Sequence, residues 1–383
     1  MTGPANDVVI RGGDVVGADG VLAGGWVAVR GATITAVGDG DPPPGESVDA
    51  IGCWVVPGFV DIHCHGGAGE AFGSADPDGV ARAVTAHRRH GTTTMLASLV
   101  SRPVPDLARE IAALAELAED GLVAGIHLEG PFLSAARCGA HDPAVLRPPD
   151  PASVDALLGA GRGQVRMVTL APELDGAVDA VRRLAGAGVL AAIGHTDATE
   201  AQVRPAVDAG ATVATHLFNG MRPLHHREPG PIGALLDDER VAVELICDLV
   251  HVHPTAVRLA ARHAAPDRTV LVTDAISATG IGDGVYDLGG LRVTVRDGVP
   301  TLDGGGSLAG STLTMDAAFR NLVRGCGLTV VEAVAATATR PAALLGRADR
   351  TGALRPGLAA DLVLLDAELR PVRVMACGEW VRP

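Results

Sequence analysis

Lysine is absent from this chain of 383 residues: all 31 basic side chains are arginines. An arginine-favouring codon usage would produce that bias, and its chemical consequence holds whatever the cause. A phosphate-loop lysine, a Schiff-base lysine and a carboxylated lysine bridging two metals are excluded, because arginine stays protonated and cannot replace them. Aromatic residues make up only 2%, which leaves little material for stacking single-stranded nucleic acid or long polysaccharide. Positive charge is outnumbered, with a net charge of −14. That balance disfavours nucleic acid and anionic membranes as partners. An anionic small molecule would need a few focused Arg or His residues. No apolar run approaches the ~20 residues of a membrane span, and the stretch from Met1 to Val16 lacks the basic start and apolar core of a signal peptide. The cysteines Cys53, Cys64, Cys138, Cys247, Cys326 and Cys377 form no CxxC pair. Reduced thiols and a cytoplasmic location are therefore expected.

Apolar residues, at 47%, are plentiful enough for a large core. Five apolar runs end in a metal-type or acid–base side chain: Val60-Asp61-Ile62-His63-Cys64-His65, Val123 to Glu129, Val189 to His195, Thr212 to His216, and Val270 to Asp274. Each reads as a buried parallel strand. Counting such runs gives about eight strands, near 60–65, 92–99, 122–129, 165–171, 189–195, 212–218, 240–248 and 269–274, the number of a (β/α)8 barrel. Asp106 is placed to cap a helix whose apolar positions Leu107, Ile111, Leu114 and Ala118 share one face, ended by Gly121. Residues 285–303 read as a β excursion, with helices near 312–324 and 328–345. Short strand-like segments at both ends of the chain predict a small β-sandwich domain built from both termini. The expected division is residues 1–56 and 348–383 for that domain and 57–347 for the barrel.

Polar groups just past the C-terminal ends of barrel strands are how this fold builds an active site. Burying so many imidazoles and carboxylates is costly unless they are paired or bind a metal. His63 and His65 stand at i and i+2 in an extended segment, so both rings point to one face. Cys64 faces the other way. With no lysine to carboxylate, Glu129 is the best anionic ligand and could bridge two ions. His195 and His216 taken singly read as structural histidines; in register with the other ligands they read as metal ligands. Imidazole and carboxylate donors suit Zn2+ or another borderline divalent ion, one or two per chain. Asp274 is either a further ligand or the group that shuttles a proton from a metal-activated water to a leaving group. His87, His90, His225, His226, His253 and His263 are expected to be structural.

The opening Pro57-Gly58-Phe59-Val60-Asp61-Ile62-His63-Cys64-His65-Gly66-Gly67 resembles the amidohydrolase superfamily. Longer strings narrow the resemblance to the N-acetylglucosamine-6-phosphate deacetylase family: His127-Leu128-Glu129-Gly130-Pro131-Phe132-Leu133, Gly139-Ala140-His141, Gly194-His195-Thr196, Thr215-His216-Leu217-Phe218-Asn219-Gly220-Met221, His225-His226-Arg227-Glu228-Pro229-Gly230, His251-Val252-His253-Pro254, Val272-Thr273-Asp274-Ala275 and Leu308-Ala309-Gly310-Ser311. The resemblance spans essentially the whole chain. It implies that Glu129, His195 and His216 hold a catalytic metal and that Asp274 is general base and acid. His141 would polarise the acetyl carbonyl, with Ala140, Leu308 and Ala309 beside the substrate. Asn219, the backbone of Gly220 and His251 would hold the sugar phosphate, and Arg227 would reach the neighbour's phosphate in a homodimer. The implied reaction converts N-acetylglucosamine 6-phosphate to glucosamine 6-phosphate and acetate.

The chain departs from family members in three places. His63 and His65 replace non-ligating residues of one subgroup and imply a second ion. Gly220 stands where alanine is usual, and Cys138 where a polar residue is common. A thiol there could sense oxidation, although a passive small side chain is the simpler reading. Two other readings compete: a different amidohydrolase, such as a nucleobase deaminase or a cyclic-amide hydrolase, and a non-catalytic barrel scaffold. The cyclic-amide group generally uses a bridging lysine, the phosphate-side strings have no task in a deaminase, and a scaffold would be expected to have lost ligands that are all present here.

Overall fold

The computed structural model describes residues 7–17, 20–74, 76–304 and 306–382, and the chain divides into two compact units. One comprises residues up to 61, residues 87–94 and residues from 315 onward. Its main element is an eight-stranded sheet made from both chain ends. Strands Leu362–Leu365 and Trp54–Pro57 pair antiparallel, and Trp54–Pro57 runs parallel to Val8–Gly17, so the C-terminal strands are hydrogen-bonded into the N-terminal ones. Alternating residues of these strands, Ile10, Val27, Val29, Val55, Leu362 and Leu364, bury their side chains in one apolar core. The helices predicted near 312–324 and 328–345 lie at Met315–Gly325 and Val330–Leu344, each partly in a wider π turn.

The second unit, residues 62–86 and 95–314, carries seven parallel strands in chain order: β1 (Ala97–Val100), β2 (Ile126–Glu129), β3 (Val165–Leu170), β4 (Leu190–Ile193), β5 (Ala211–Ala214), β6 (Ala242–Ile246) and β7 (Thr269–Val272). The segment His63–His65 completes the ring. Asp274 N–H donates to the His63 carbonyl and His65 N–H to the Ala275 carbonyl, while Ser98 N–H donates to the Cys64 carbonyl on the other side. This is the predicted (β/α)8 barrel. Its strands are short and largely buried on both faces because helices cover the outside and side chains fill the inside.

The helix after β1 runs Val104–Glu119 and buries Leu107, Ile111, Leu114 and Ala118 as its 3.6-residue period requires. Asp106 is not its cap. The helix begins earlier, behind Pro103, whose fixed φ suits a helix start, and Asp106 sits in the first turn paired with Arg109. Gly121 ends it with a left-handed φ of 80°. The β excursion is a three-stranded antiparallel sheet, Gly284–Leu288, Leu291–Arg296 and Val299–Leu302, packed through Leu288, Val293 and Val295 on Ile276 and Ala309. Among the described residues no helix is long and apolar enough to cross a membrane.

Candidate active site

Register brings the functional side chains to one rim. Val100 lies opposite Glu129, Glu129 opposite Thr169, Leu170 opposite Ile193, Ile193 opposite Ala214 and Ile246 opposite Val272. The strands therefore end nearly level from β1 to β5, while β6 and β7 run three residues further, to Ile246 and Val272. His195, His216 and Asp274 each stand two residues past the last residue of β4, β5 and β7. Each has a left-handed backbone, with φ of 46°, 28° and 50° respectively. That conformation is costly for a residue with a Cβ and persists where surrounding structure over-determines it, commonly at functional sites. The strained turn lifts each side chain off the strand and aims it at the barrel axis.

Glu129 is the hub of the cluster. Its Oε1 lies 2.9 Å from His195 Nε2 and 2.9 Å from His216 Nε2. Its Oε2 faces His65 Nε2 at 3.1 Å, His141 Nε2 at 3.4 Å and His63 Nε2 at 3.6 Å. Asp274 Oδ1 approaches the same nitrogens of His63 and His65, at 3.4 and 3.2 Å. These residues are all buried, with none above 7% exposed.

The tautomers show what such a cluster can hold. His195 Nδ1 faces the Arg137 carbonyl at 2.8 Å, an atom that only accepts, so Nδ1 must donate and Nε2 of the neutral ring carries a lone pair. His63 Nδ1 likewise faces Glu244 Oε2 at 3.3 Å. In the neutral rings the lone pairs on both Nε2 atoms then point at carboxylate oxygens, a repulsive arrangement that either protonation of the rings or a cation among them relieves. Ligand atoms of His63, His65, Glu129 and Asp274 all fall within 4.8 Å of one another, and so do those of Glu129, His141 and His195. The residues fit a divalent metal. Without metal, these charges act on one another. Burial opposes ionisation of Asp274, but the imidazoles of His63 and His65 outweigh it and hold the carboxyl at about 2. Burial also opposes charge on His63, yet Asp274 and Glu129 push its pKa well above the usual value.

His141 differs from the others. Ser101 N–H donates to its Nδ1 at 3.2 Å, so Nε2 carries the proton in the neutral ring and can donate it. Burial keeps that ring neutral by lowering its pKa. A cavity of about 380 Å³ opens over the cluster, lined by His65, Glu129, His141, His195, His216 and Asp274, together with Arg137, Ala140, Asn219, Gly220, His251 and Leu308. That is the size of a small-molecule site.

One expected substrate residue, Ala309, stands off the cavity wall. Ala309 is fully buried and packs against Ile276, with its neighbours Leu308 and Gly310 on the cavity wall. Arg227 is exposed on the loop after Met221, beside His226 and lining a separate recess with Arg204 and Arg222. Gly220 contributes backbone alone: its φ is 60°, and a Cβ there would stand 2.8 Å from His195 Nδ1.

The sequence reading missed several supporting groups. Glu244, fully buried within β6, accepts from the backbone N–H of His216 at 3.2 Å besides facing His63. A carboxylate inside the apolar run Val241 to Ile246 was a legible warning, since such a group must be paired. Asp248 Oδ2 lies 2.6 Å from His251 Nδ1. His127 sits below the cluster, edge-on to His63 and bonded to Ser98 and Thr169 at 2.9 Å each. Among the histidines expected to be structural, His253 caps the helix Pro254–Arg268 and His90 faces Asp316. Cys138 is half-buried on the loop between Arg137 and Gly139.

Comparison with known proteins agrees with this geometry. Residues 54–382 match the model of the amidohydrolase family. The chain is 36% identical over 375 residues to the N-acetylgalactosamine-6-phosphate deacetylase of Escherichia coli O157:H7, covering 97% of this chain and 98% of that one. It is 34% identical over 384 residues to the N-acetylglucosamine-6-phosphate deacetylase of Bacillus subtilis strain 168, covering 98% and 97%. Among solved structures, a mutant N-acetyl-D-glucosamine-6-phosphate deacetylase from Mycobacterium smegmatis in complex with N-acetyl-D-glucosamine-6-phosphate superposes with a TM-score of 0.95 at 47% identity, over 99% of this chain and 100% of that one. The chain belongs to the amidohydrolase family and, within it, to the N-acetylglucosamine-6-phosphate deacetylases.

Proposed function

We propose that this chain hydrolyses the acetamide of N-acetylglucosamine 6-phosphate, giving glucosamine 6-phosphate and acetate. The observation that carries the reading is the cavity itself. Imidazoles divided between the two oxygens of Glu129 lie beside Asp274, and His251 with its Asp248 partner lies on the same cavity wall.

Glu129, His195 and His216 would hold one divalent ion, and His63 and His65 a second shared with Glu129 and Asp274; Zn2+ suits these donors and would supply Lewis-acid polarisation of the acetyl carbonyl and a water of lowered pKa. The chain's own groups do the rest. Asp274, a carboxylate at neutral pH, takes the proton of the attacking water. His141 Nε2–H donates to the carbonyl oxygen as negative charge develops on it. Asp274 then returns the proton to the departing amine. Asn219, the Gly220 backbone and His251 hold the sugar phosphate, with Ala140 and Leu308 against the sugar. Arg227 of a second copy of the chain offers its planar fork to the phosphate in a homodimer, which accounts for its exposed place outside its own cavity. A phosphorylated metabolite and six cysteines in no disulfide suit a cytoplasmic enzyme.

The Escherichia coli relative gives a second substrate a claim, the galactosamine epimer, which differs at one ring hydroxyl. Acetate release from both 6-phosphates decides between them. Release from the glucosamine compound by metal-loaded protein is expected; release from the galactosamine compound alone would correct the substrate, and release from neither would point to another amidohydrolase reaction.

A further inference from the structure

Two loops close on the imidazole of His195. Gly139 and Gly220 both have left-handed backbones, with φ of 59° and 60°, and a Cβ on either would stand 3.0 and 2.8 Å from the imidazole ring. The first loop, residues 134–141, brings Ala140 and His141 to the cavity. The second, residues 219–230, brings Asn219 and Gly220 and carries Arg227. Each is stitched to the chain just after β4: Ser134 N–H donates to the His195 carbonyl, Thr196 N–H to the Gly220 carbonyl, and Arg222 N–H to the Thr196 carbonyl.

One side chain joins the two. Asp197 Oδ1 accepts from Arg137 Nε on the first loop at 2.8 Å, and its Oδ2 accepts from Arg222 Nη2 on the second at 2.8 Å. Asp197 is itself held, its N–H donating to Glu173 Oε1 at 2.7 Å, with Thr196 Oγ1 donating to Glu173 Oε2 at 2.5 Å. The Arg137 carbonyl, in turn, is the acceptor that fixes the His195 tautomer. Exposed ion pairs contribute little to stability on their own. This one does something else: it sets the position of the carbonyl that decides which nitrogen His195 presents to Glu129.

We propose that Asp197 is a positioning residue that clamps the two substrate loops together around His195, so that the metal-binding face of that histidine and the sugar-phosphate face of the cavity form as one unit. The inference rests on the metal-dependent reading of the site given above. Arg222 lines the outer recess rather than the cavity, yet by this account it helps hold the metal. Without Asp197 both guanidiniums lose their shared partner, the loops lose their common anchor, and the carbonyl of Arg137 no longer holds His195 Nδ1–H.

The test is a mutant cycle on zinc-loaded protein: Arg137→Gln, Arg222→Gln, the two together, and Asp197→Asn. The rate at which EDTA strips the metal is followed, with the melting temperature of the metal-free protein as a control for general damage. Each single arginine change is expected to speed stripping by about tenfold with the melting temperature unchanged. The double variant should strip no faster than Asp197→Asn, because all three break one clamp. Wild-type retention of metal by Arg222→Gln, or effects that multiply in the double variant, would overturn the proposal. If Asp197→Asn does not fold, the two arginine variants and their combination decide alone. Stripping needs no substrate, so a failure to release acetate would count against the proposed reaction and leave this result standing.

Discussion

In the proposed reaction Asp274 would act at the reacting bond and His251 at the phosphate. If Asp274 moves the proton, Asp274→Asn should lose about 10²–10⁴ in kcat even in protein that keeps the ion at Glu129, His195 and His216; near-normal turnover with metal bound would remove it from that role. His251 makes a pH prediction. Burial opposes its charge, but the hydrogen bond to Asp248 and the charge of that carboxylate together raise its pKa above the usual value. The ring is therefore an imidazolium below that raised pKa and loses its charge as pH climbs through it. KM for the phosphorylated sugar should rise as pH climbs through that raised pKa, and Asp248→Asn should move the rise to lower pH. The unphosphorylated sugar should show neither effect. Superimposable profiles for wild type and variant would show that Asp248 does not set the charge of His251.

At the level of elements, each ligand stands where a strand stops, and that much was legible in the sequence. Apolar runs ending in His195, His216 and Asp274 marked β4, β5 and β7, because strands buried on both faces have no other pattern to show. The spacing of His63 and His65 gave their common face. What could not be read is how ring nitrogens are held from behind. Glu244 lies 181 residues from His63 and 28 from His216, and Asp197 meets Arg137 across 60 residues; no local period encodes such pairs. Asp106 misled for a simpler reason, since a capping residue and a first-turn acid look alike and Pro103 settled the start. Glu244 also carries a prediction. As the acceptor for His63 and for the backbone at His216, it aligns ligands on both sides of Glu129. Glu244→Gln keeps the shape but can turn an N–H toward either donor, and should weaken metal binding by about 10–100-fold in a chelator competition. Unchanged affinity would mean that β6 supplies packing alone.

For the whole molecule, the question is whether one chain makes a complete site. With a net charge of −14, the protein must concentrate positive charge to hold a phosphate, and Arg227 faces away from its own cavity. Arg227→Ala should raise KM for the phosphorylated sugar by about tenfold or more, the value of a charge-assisted hydrogen bond, and hardly change use of the unphosphorylated one. Mixing Arg227→Ala with Asp274→Asn subunits should restore part of the activity, since a mixed dimer holds one intact site; no recovery would place Arg227 in its own subunit or outside the site. The central claim is that the cluster around Glu129 cleaves the acetamide of a phosphorylated amino sugar. Its most direct test is acetate release from N-acetylglucosamine 6-phosphate and from N-acetylglucosamine, on protein whose bound metal has been counted. The account predicts strong preference for the phosphate and one or two metal ions per chain, two if His63 and His65 hold their own. No acetate from either sugar, with metal bound, would contradict it.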